Sequence, residues 1–294
     1  MSVLKVLAGR LSAETTERAV IEYMADKDEL FALLPFTKSP TNIYSWYRTG
    51  DVPTASVIDP YGTIPEVDVV GTVMQNKISM IAADVVVYNF EATAVEQLVD
   101  RVLEKTLAAS EAITRAFKRL FIRGDSAANP NEFNGLDKFV DPDMVVDAGS
   151  GGAPISFELL DKLLDKFPKG AEPTAIIVHP RTYLSIKALL RTLYVTPEQV
   201  MLSNFGKPVL AYNGIPILRN EYIPITTSGL TSVYAVRLGQ TAVHGVYMGD
   251  NAGVVIEEVG RLENKDARKW RLKWYVSMAS KNKWDVAKII NVAN

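Results

Sequence analysis

The feature that most restricts how this chain can fold is an unbroken helical period between Thr93 and Gly124. Thr93-Ala94-Val95-Glu96 is a capping box: the threonine hydroxyl accepts a first-turn amide while the glutamate reaches back to the threonine amide. Behind it Val95, Leu98, Val99, Val102, Leu103, Ile113, Ala116, Phe117, Leu120 and Phe121 return at steps of three and four, with no Gly or Pro before Gly124. The pattern predicts one helix over about 93–123, roughly 45 Å long at 1.5 Å per residue. An ordinary helix has about 11 to 12 residues, so this one is a beam, and beams organise flat or extended domains.

The segments before the beam are thin. Residues 13 to 34 read as a helix, with Ala19, Val20, Tyr23, Met24, Leu30, Phe31, Leu33 and Leu34 toward one side and Pro35 as its stop. From Ile43 to Phe90 the pattern turns to short β-prone runs punctuated by Thr49-Gly50-Asp51, Val52-Pro53, Asp59-Pro60-Tyr61-Gly62 and Ile64-Pro65. Two strand-like arms, near 43–49 and 67–88, flank a Pro/Gly-rich middle, which predicts a long hairpin too thin to hold a core.

After the beam, residues 124–155 read as a loop whose Ala148-Gly149-Ser150-Gly151-Gly152-Ala153-Pro154 stretch is a hinge, and an α/β region follows. Ser156 caps a helix with Phe157, Leu160, Leu163, Leu164 and Phe167 on one face, Thr174–Val178 is a buried-type strand, and Pro180 opens a second helix. Thr196-Pro197-Glu198-Gln199 reads as another helix start. Asn213-Gly214 between two apolar runs predicts a type I′ hairpin, because both central residues need φ > 0. Beyond 231 the chain is mostly strand. In the longest one Trp270, Leu272, Trp274, Val276 and Met278 alternate with Lys269, Arg271, Lys273, Tyr275 and Ser277, giving one core face and one solvent or partner face.

Composition removes whole classes of function. With no cysteine in 294 residues there is no disulfide framework, thiolate metal site or cysteine nucleophile, and two histidines leave little for zinc or a proton relay. A net charge of -2 rules out a global polycation for wrapping nucleic acid. Lys5 interrupts an N-terminal apolar stretch too short for a signal peptide, and no run approaches the roughly 20 apolar residues of a bilayer span, so the expectation is a cytoplasmic protein.

No motif carries catalysis. Arg123-Gly124-Asp125 is an adhesion-type tripeptide, but Gly124 sits where a helix C-cap glycine belongs. Gly149-Ser150-Gly151-Gly152 lacks the strand and the Lys-Ser/Thr of a phosphate loop. His179 precedes Pro180 at a strand-to-helix corner, and His244 lies in an apolar run; neither has patterned carboxylates nearby, so no catalytic, cofactor or metal residue is expected. Charge, by contrast, is segregated. Between Arg261 and Lys288 nine basic residues face three acidic ones, whereas between Arg48 and Asn76 one basic residue faces Asp51, Asp59, Glu66 and Asp68. Opposite charges on two segments invite head-to-tail contacts between copies, which makes Asp51, Asp59, Glu66, Asp68, Lys269, Arg271 and Lys273 the candidate subunit-contact residues.

The order of arm, hairpin, spine helix, glycine-bearing loop, α/β insert and returning strands resembles the major capsid protein of tailed bacteriophages, the Hong Kong 97 fold, an α+β class. Ala116–Asp125 with Pro130 and Asn134-Gly135-Leu136 is similar to the family's spine-helix end and Gly-Asp loop. Ile176–Tyr183 is similar to its strand running into an Asn/His-Pro helix start, and Asn213-Gly214-Ile215-Pro216-Ile217 with Tyr222-Ile223-Pro224 to its Gly-Ile/Val-Pro-Val hairpin and sequel. The resemblance implies an N-terminal arm at 1–40, an extended loop at 41–76, a peripheral domain from 77–150 and 255–294, and an axial domain at 151–254. It implies pentamers and hexamers of an icosahedral head around double-stranded DNA, with a portal protein, a separate scaffolding protein because the arm is short, and decoration proteins as partners. It implies no cofactor and no membrane, and a chain assembled in the host cytoplasm that ends in the virion. Residues 49–76 contain no lysine, so the lysine–asparagine cross-link of some members is not expected. Encapsulin nanocompartments, which share the fold and enclose cargo enzymes, are the alternative; an α+β enzyme using His179 or His244 is a weaker one.

Overall fold

The computed structural model describes residues 28–50, 55, 57–59, 61, 71–90, 98–149, 151–192, 198–201 and 208–293. The first helix, α1 (Glu29–Leu33), starts at Asp28, whose extended backbone (φ -132°, ψ 128°) and carboxylate, 3.0 Å from the Leu30 amide, make an N-cap. The helix expected over 13–34 is therefore interrupted at Asp28; its residues 13–27 lie outside the described residues. Asp28 is an N-cap with a second partner, Lys118 at 2.7 Å.

Four strands follow: β1 (Phe36–Ser39), β2 (Ile43–Thr49), β3 (Gly71–Lys77) and β4 (Ser79–Tyr88). β2 and β3 form the expected hairpin, in register from Ile43 opposite Lys77 to Thr49 opposite Gly71. The second arm is not one strand over 67–88. It breaks at buried Ile78, whose amide donates to Asn42, and its second half, β4, enters a different sheet.

The beam is present as α2 (Leu98–Arg123), 26 residues and about 39 Å by the helical rise; the capping box at 93–96 lies outside the described residues. Its buried stripe, Ala109, Ile113, Phe117, Leu120 and Phe121, carries buried hydroxyls beside it. Thr106 and Thr114 satisfy theirs on the carbonyls of Val102 (2.7 Å) and Ser110 (2.9 Å). Gly124 follows the helix, but not for a left-handed backbone. A Cβ there would lie 2.2 Å from the Phe133 carbonyl and 2.6 Å from that of Leu120, so close approach of two segments demands the glycine.

The stretch read as a loop over 124–155 contains α3 (Leu136–Phe139), β5 (Val145–Asp147) and β6 (Ala153–Pro154). Both strands are too short to leave a periodic trace. They pair in parallel with the same C-terminal strand, so the glycine stretch between them is a turn inside a sheet edge, with Gly149 and Gly152 at φ 126° and 78°. Then come α4 (Phe157–Asp165), β7 (Ala175–Val178) and α5 (Pro180–Thr192) as expected. β8 (Glu198–Met201) is a strand where Thr196-Pro197-Glu198-Gln199 predicts a helix. The edge of β9 (Pro208–Tyr212) offers four paired positions to it, and tertiary pairing overrides the local signal. β9 turns through Asn213 (φ 49°) and Gly214 (φ 74°) into β10 (Ile215–Arg219), the type I′ geometry its sequence predicts.

The remaining strands, β11 (Leu230–Val236), β12 (Val243–Met248), β13 (Val254–Arg261), β14 (Ala267–Ser280) and β15 (Val286–Ala293), complete two sheets. A five-stranded sheet runs β1-β12-β14-β13 with β4 on the other edge of β14. An eight-stranded one runs β5-β15-β11-β7-β10-β9-β8 with β6 also on β15. The strands are thus shared out differently from a simple 151–254 insert: β12 belongs with β14, while β15 lies beside β11. A strand's sequence reports which face is apolar, not which sheet it joins.

There are two cores, and the one under α2 is shared, since Ala175, Ile177, Tyr234 and Val236 of the eight-stranded sheet also pack into it. α2 lies on the inner face of the five-stranded sheet, where Phe117 meets the rings of Trp274 (4.8 Å), Phe31 (5.3 Å) and Phe133 (6.0 Å). In the second, Leu160, Leu163 and Ile186 of α4 and α5 pack with Ile176, Val233 and Ile289.

Candidate subunit-contact surface

The hairpin has two unlike faces, because residues directly opposite across a ladder share a side. Tyr44, Trp46, Arg48, Met74 and Asn76 turn toward the body. Ile43, Ser45, Tyr47, Val73 and Gln75 turn outward and are exposed, Val73 at 69% and Tyr47 at 50%. The inward face is held mainly through backbone carbonyls. The Trp46 indole donates to Ser280 at 2.6 Å, the Asn76 amide to Met278 at 2.8 Å and Asn134 at 3.3 Å, and Arg48 Nη2 to Phe139 at 2.7 Å. At the tip Val57 and Tyr61 are exposed, and Asp59 accepts the Tyr61 amide at 3.0 Å. Asp59 is exposed; Asp51, Glu66 and Asp68 lie outside the described residues.

The outer face of the five-stranded sheet holds the basic candidates, and they are already matched within the chain. Asp84 of β4 accepts Arg271 Nε at 2.7 Å and Nη2 at 3.1 Å, and takes Lys269 Nζ at 2.5 Å; Lys273 pairs with Glu257 of β13. The Arg271 guanidinium, then the Lys269 ammonium, hold the Asp84 carboxyl well below the usual carboxylate range. The surplus of positive charge read along 261–288 is therefore smaller in space than in sequence. Its neutralising carboxylates come from neighbouring strands, Asp84 standing opposite Arg271 in the ladder. Met80, Ala82, Asp84, Arg271 and Lys273 line a shallow depression of about 420 Å³. The patch sets three cations against two carboxylates and has an apolar margin. Exposed pairs of this kind contribute about 1 kcal/mol or less, so they define register better than they drive adhesion.

Sequence reasoning missed the outward apolar residues of the hairpin, Ile43, Tyr47 and Val73, and exposed Met80 of β4 beside the basic row. The signal was present: in Ile43-Tyr44-Ser45-Trp46-Tyr47 both alternating sets hold large residues, which is expected of a strand with two faces to cover.

The other motifs serve the fold. Asp125 pairs with Lys138 at 2.8 Å, and Ser126 gives its amide and hydroxyl to Asn134, so the tripeptide ends in a fastened loop. The His179 ring accepts the Arg181 amide at 3.1 Å at the start of α5, and His244 is buried with Nδ1 3.0 Å from the Ala242 carbonyl. Burial lowers the pKa of both. Among the described residues no group of His, Asp and Glu is arranged to hold a metal ion, and no helix is long and apolar enough to cross a membrane.

A beam helix laid across a five-stranded sheet, an eight-stranded α/β sheet beside it and a projecting hairpin constitute the Hong Kong 97 capsid fold, and comparison with solved structures gives the same fold. The SrpI encapsulin complex of Synechococcus elongatus is similar at TM-score 0.69 and 21% identity over 90% of this chain and 87% of that one. The capsid of an empty GTA particle is similar at 0.69 and 11%, over 92% and 90%. A Mycobacterium phage Bobi chain is similar at 0.62 and 13%, over 89% of each. Within the sequence, residues 125–263 match the model of the type 2A encapsulin shell protein SrpI-like family. Among curated proteins no match is found.

Proposed function

We propose that the chain is a structural shell subunit, without catalysis of its own, whose copies close into an icosahedral container. The observation that carries this reading is the hairpin: it leaves the body with Tyr47 and Val73 outward, on a fold shared with shell-forming proteins over nine-tenths of the chain. An apolar strip on a thin projection suits a second copy, and the depression by Met80, Arg271 and Lys273 is the surface we assign to receive it. Apolar contact then drives the joint, while Asp59 and the acidic residues beside it in sequence read the Lys269–Arg271–Lys273 row for register.

For the contents, double-stranded DNA in a phage-type head, with portal and scaffold as partners, is supported by the likeness to GTA and mycobacteriophage capsids. Protein cargo in an encapsulin-type compartment is supported by the family model over 125–263 and by the higher identity, 21%, to the SrpI shell. Expression followed by electron microscopy tests the class, since a chain that stays monomeric at micromolar concentration overturns it. Particles purified from the native source separate the contents: nuclease-protected DNA supports the head, co-purifying enzyme without genome the compartment. Shells of either kind should dissolve to a single monomer band on a denaturing gel, because the loop region 49–76 lacks lysine.

A further inference from the structure

The turn between β14 and β15 contains a carboxylate with no access to solvent. Asp285 accepts the Asn282 amide at 2.7 Å, the Asn282 side chain at 3.0 Å and the Ser280 hydroxyl at 3.4 Å, with Arg237 Nη1 at 3.7 Å. Burial pushes this carboxyl above its ordinary value, and the Asn282, Arg237 and Ser280 contacts pull it back. A buried carboxylate is expensive unless hydrogen-bonded. Most of its donors here come from one short turn, which they fold around it.

That turn is what the hairpin grips. Thr49, the last residue of β2, donates its amide to the Lys281 carbonyl at 2.8 Å and accepts the Lys283 amide at 3.1 Å, a parallel bridge centred on Asn282. Trp46 donates to Ser280 one residue before the turn. Arg48 lies between them, its Nε buried without a hydrogen-bond partner; against the burial, the charges of Asp141 and Asp285 favour its cationic form. The point at which the hairpin leaves the body is thus tied to a turn folded around one carboxylate from the far end of the chain and braced by Ser280 Oγ donating to the Asn282 carbonyl at 3.2 Å and the Asn282 side chain donating to the Thr241 carbonyl at 3.0 Å.

We infer that Asp285 is a positioning residue for the hairpin: its carboxylate freezes residues 281–283 in the shape that Thr49 bridges, and so sets the direction in which the hairpin projects. The clamp belongs to the single chain and does not rest on the shell-forming reading.

The test is amide hydrogen exchange on the full, unassembled chain, comparing wild type with Asp285→Ala and Asn282→Ala, and with Asp161→Asn in helix α4 as a control. The Thr49 and Lys283 amides should exchange about tenfold faster in the first two variants, the scale of one or two lost hydrogen bonds. Ile176 and Ile177 should keep wild-type protection throughout, and Asp161→Asn should leave Thr49 unchanged. Unchanged Thr49 and Lys283 in a folded Asp285→Ala chain overturn the inference. If that variant does not fold, Asn282→Ala decides alone: selective loss at Thr49 and Lys283 supports the clamp, while no loss, or equal loss at Ile176, overturns it.

Discussion

The eight-stranded sheet and the β2–β3 hairpin draw on the same β-prone residues, yet they are held in opposite ways. In the sheet, all four residues of β7 are buried: Ile176 and Val178 in the core that helices α4 and α5 cover, Ala175 and Ile177 in the core under the beam helix. In the hairpin, one face is exposed and the other buries a single large ring, Trp46, and adds directed hydrogen bonds to carbonyls of Ser280, Met278, Asn134 and Phe139. Apolar packing has no preferred direction and fails as a whole; a few hydrogen bonds fix an angle and can open without the core. The fold joins a body held by volume to a projection that depends more on direction.

Four substitutions test that contrast, from the largest effect down. Ile176→Ala in β7 should cost about 3 to 4 kcal/mol of global stability by leaving a cavity at a site with no solvent access, read as a lower urea midpoint with an unchanged slope. Trp46→Phe keeps one aromatic ring but removes the 2.6 Å bond to Ser280 and part of a buried indole, and should cost about 2 to 3 kcal/mol, mostly in local opening of the hairpin, with a smaller shift of the urea midpoint than Ile176→Ala. If the two variants lower the midpoint equally, the contrast fails.

His244 sits on the seam, its Nε2 3.5 Å from the Tyr44 hydroxyl of the hairpin. Burial lowers its pKa below 6.5, so the unfolded chain binds the proton more readily and stability falls as the pH drops below that value. The slope from this group is at most about 1.4 kcal/mol per pH unit, and His244→Gln should flatten the urea midpoint over that range. Asp84 has the smallest expected effect. Its folded pKa is lowered, so its contribution is present above 3.8 and lost as the pH falls through the folded value. Asp84→Asn should cost under about 1 kcal/mol near neutrality because the group is partly exposed. The variant should nonetheless make shell yield more salt-sensitive by uncovering Lys269 and Arg271.

What the sequence revealed follows the same division. The beam, the Asn213-Gly214 turn and the alternation of β14 were legible because each is dictated by near neighbours: helical spacing, a φ > 0 requirement, a period of two. The strand at 198–201 was not, since Thr196-Pro197-Glu198-Gln199 has a helical local preference and only the β9 edge converts it. Gly124 was located correctly for a different reason, the approach of Phe133 rather than a left-handed cap. Of the candidate contact residues, Lys269, Arg271 and Lys273 share the outer sheet face that their alternation predicts, but their matching by Asp84 and Glu257 depends on strand order, which no local pattern encodes.

β14 constrains how such a chain can diverge. Between Ala267 and Val276 it is paired along both edges, by β4 on one side and mostly by β13 on the other. Inserting or deleting one residue there would turn Leu272, Trp274 and Val276 outward and drive Lys269, Arg271 and Lys273 into the beam helix. Exchanging one apolar residue for another leaves that order intact. Over generations this stretch can change its letters freely but hardly its length, so gaps in an alignment, more than mismatches, would mark the place where a related chain has ceased to be the same object.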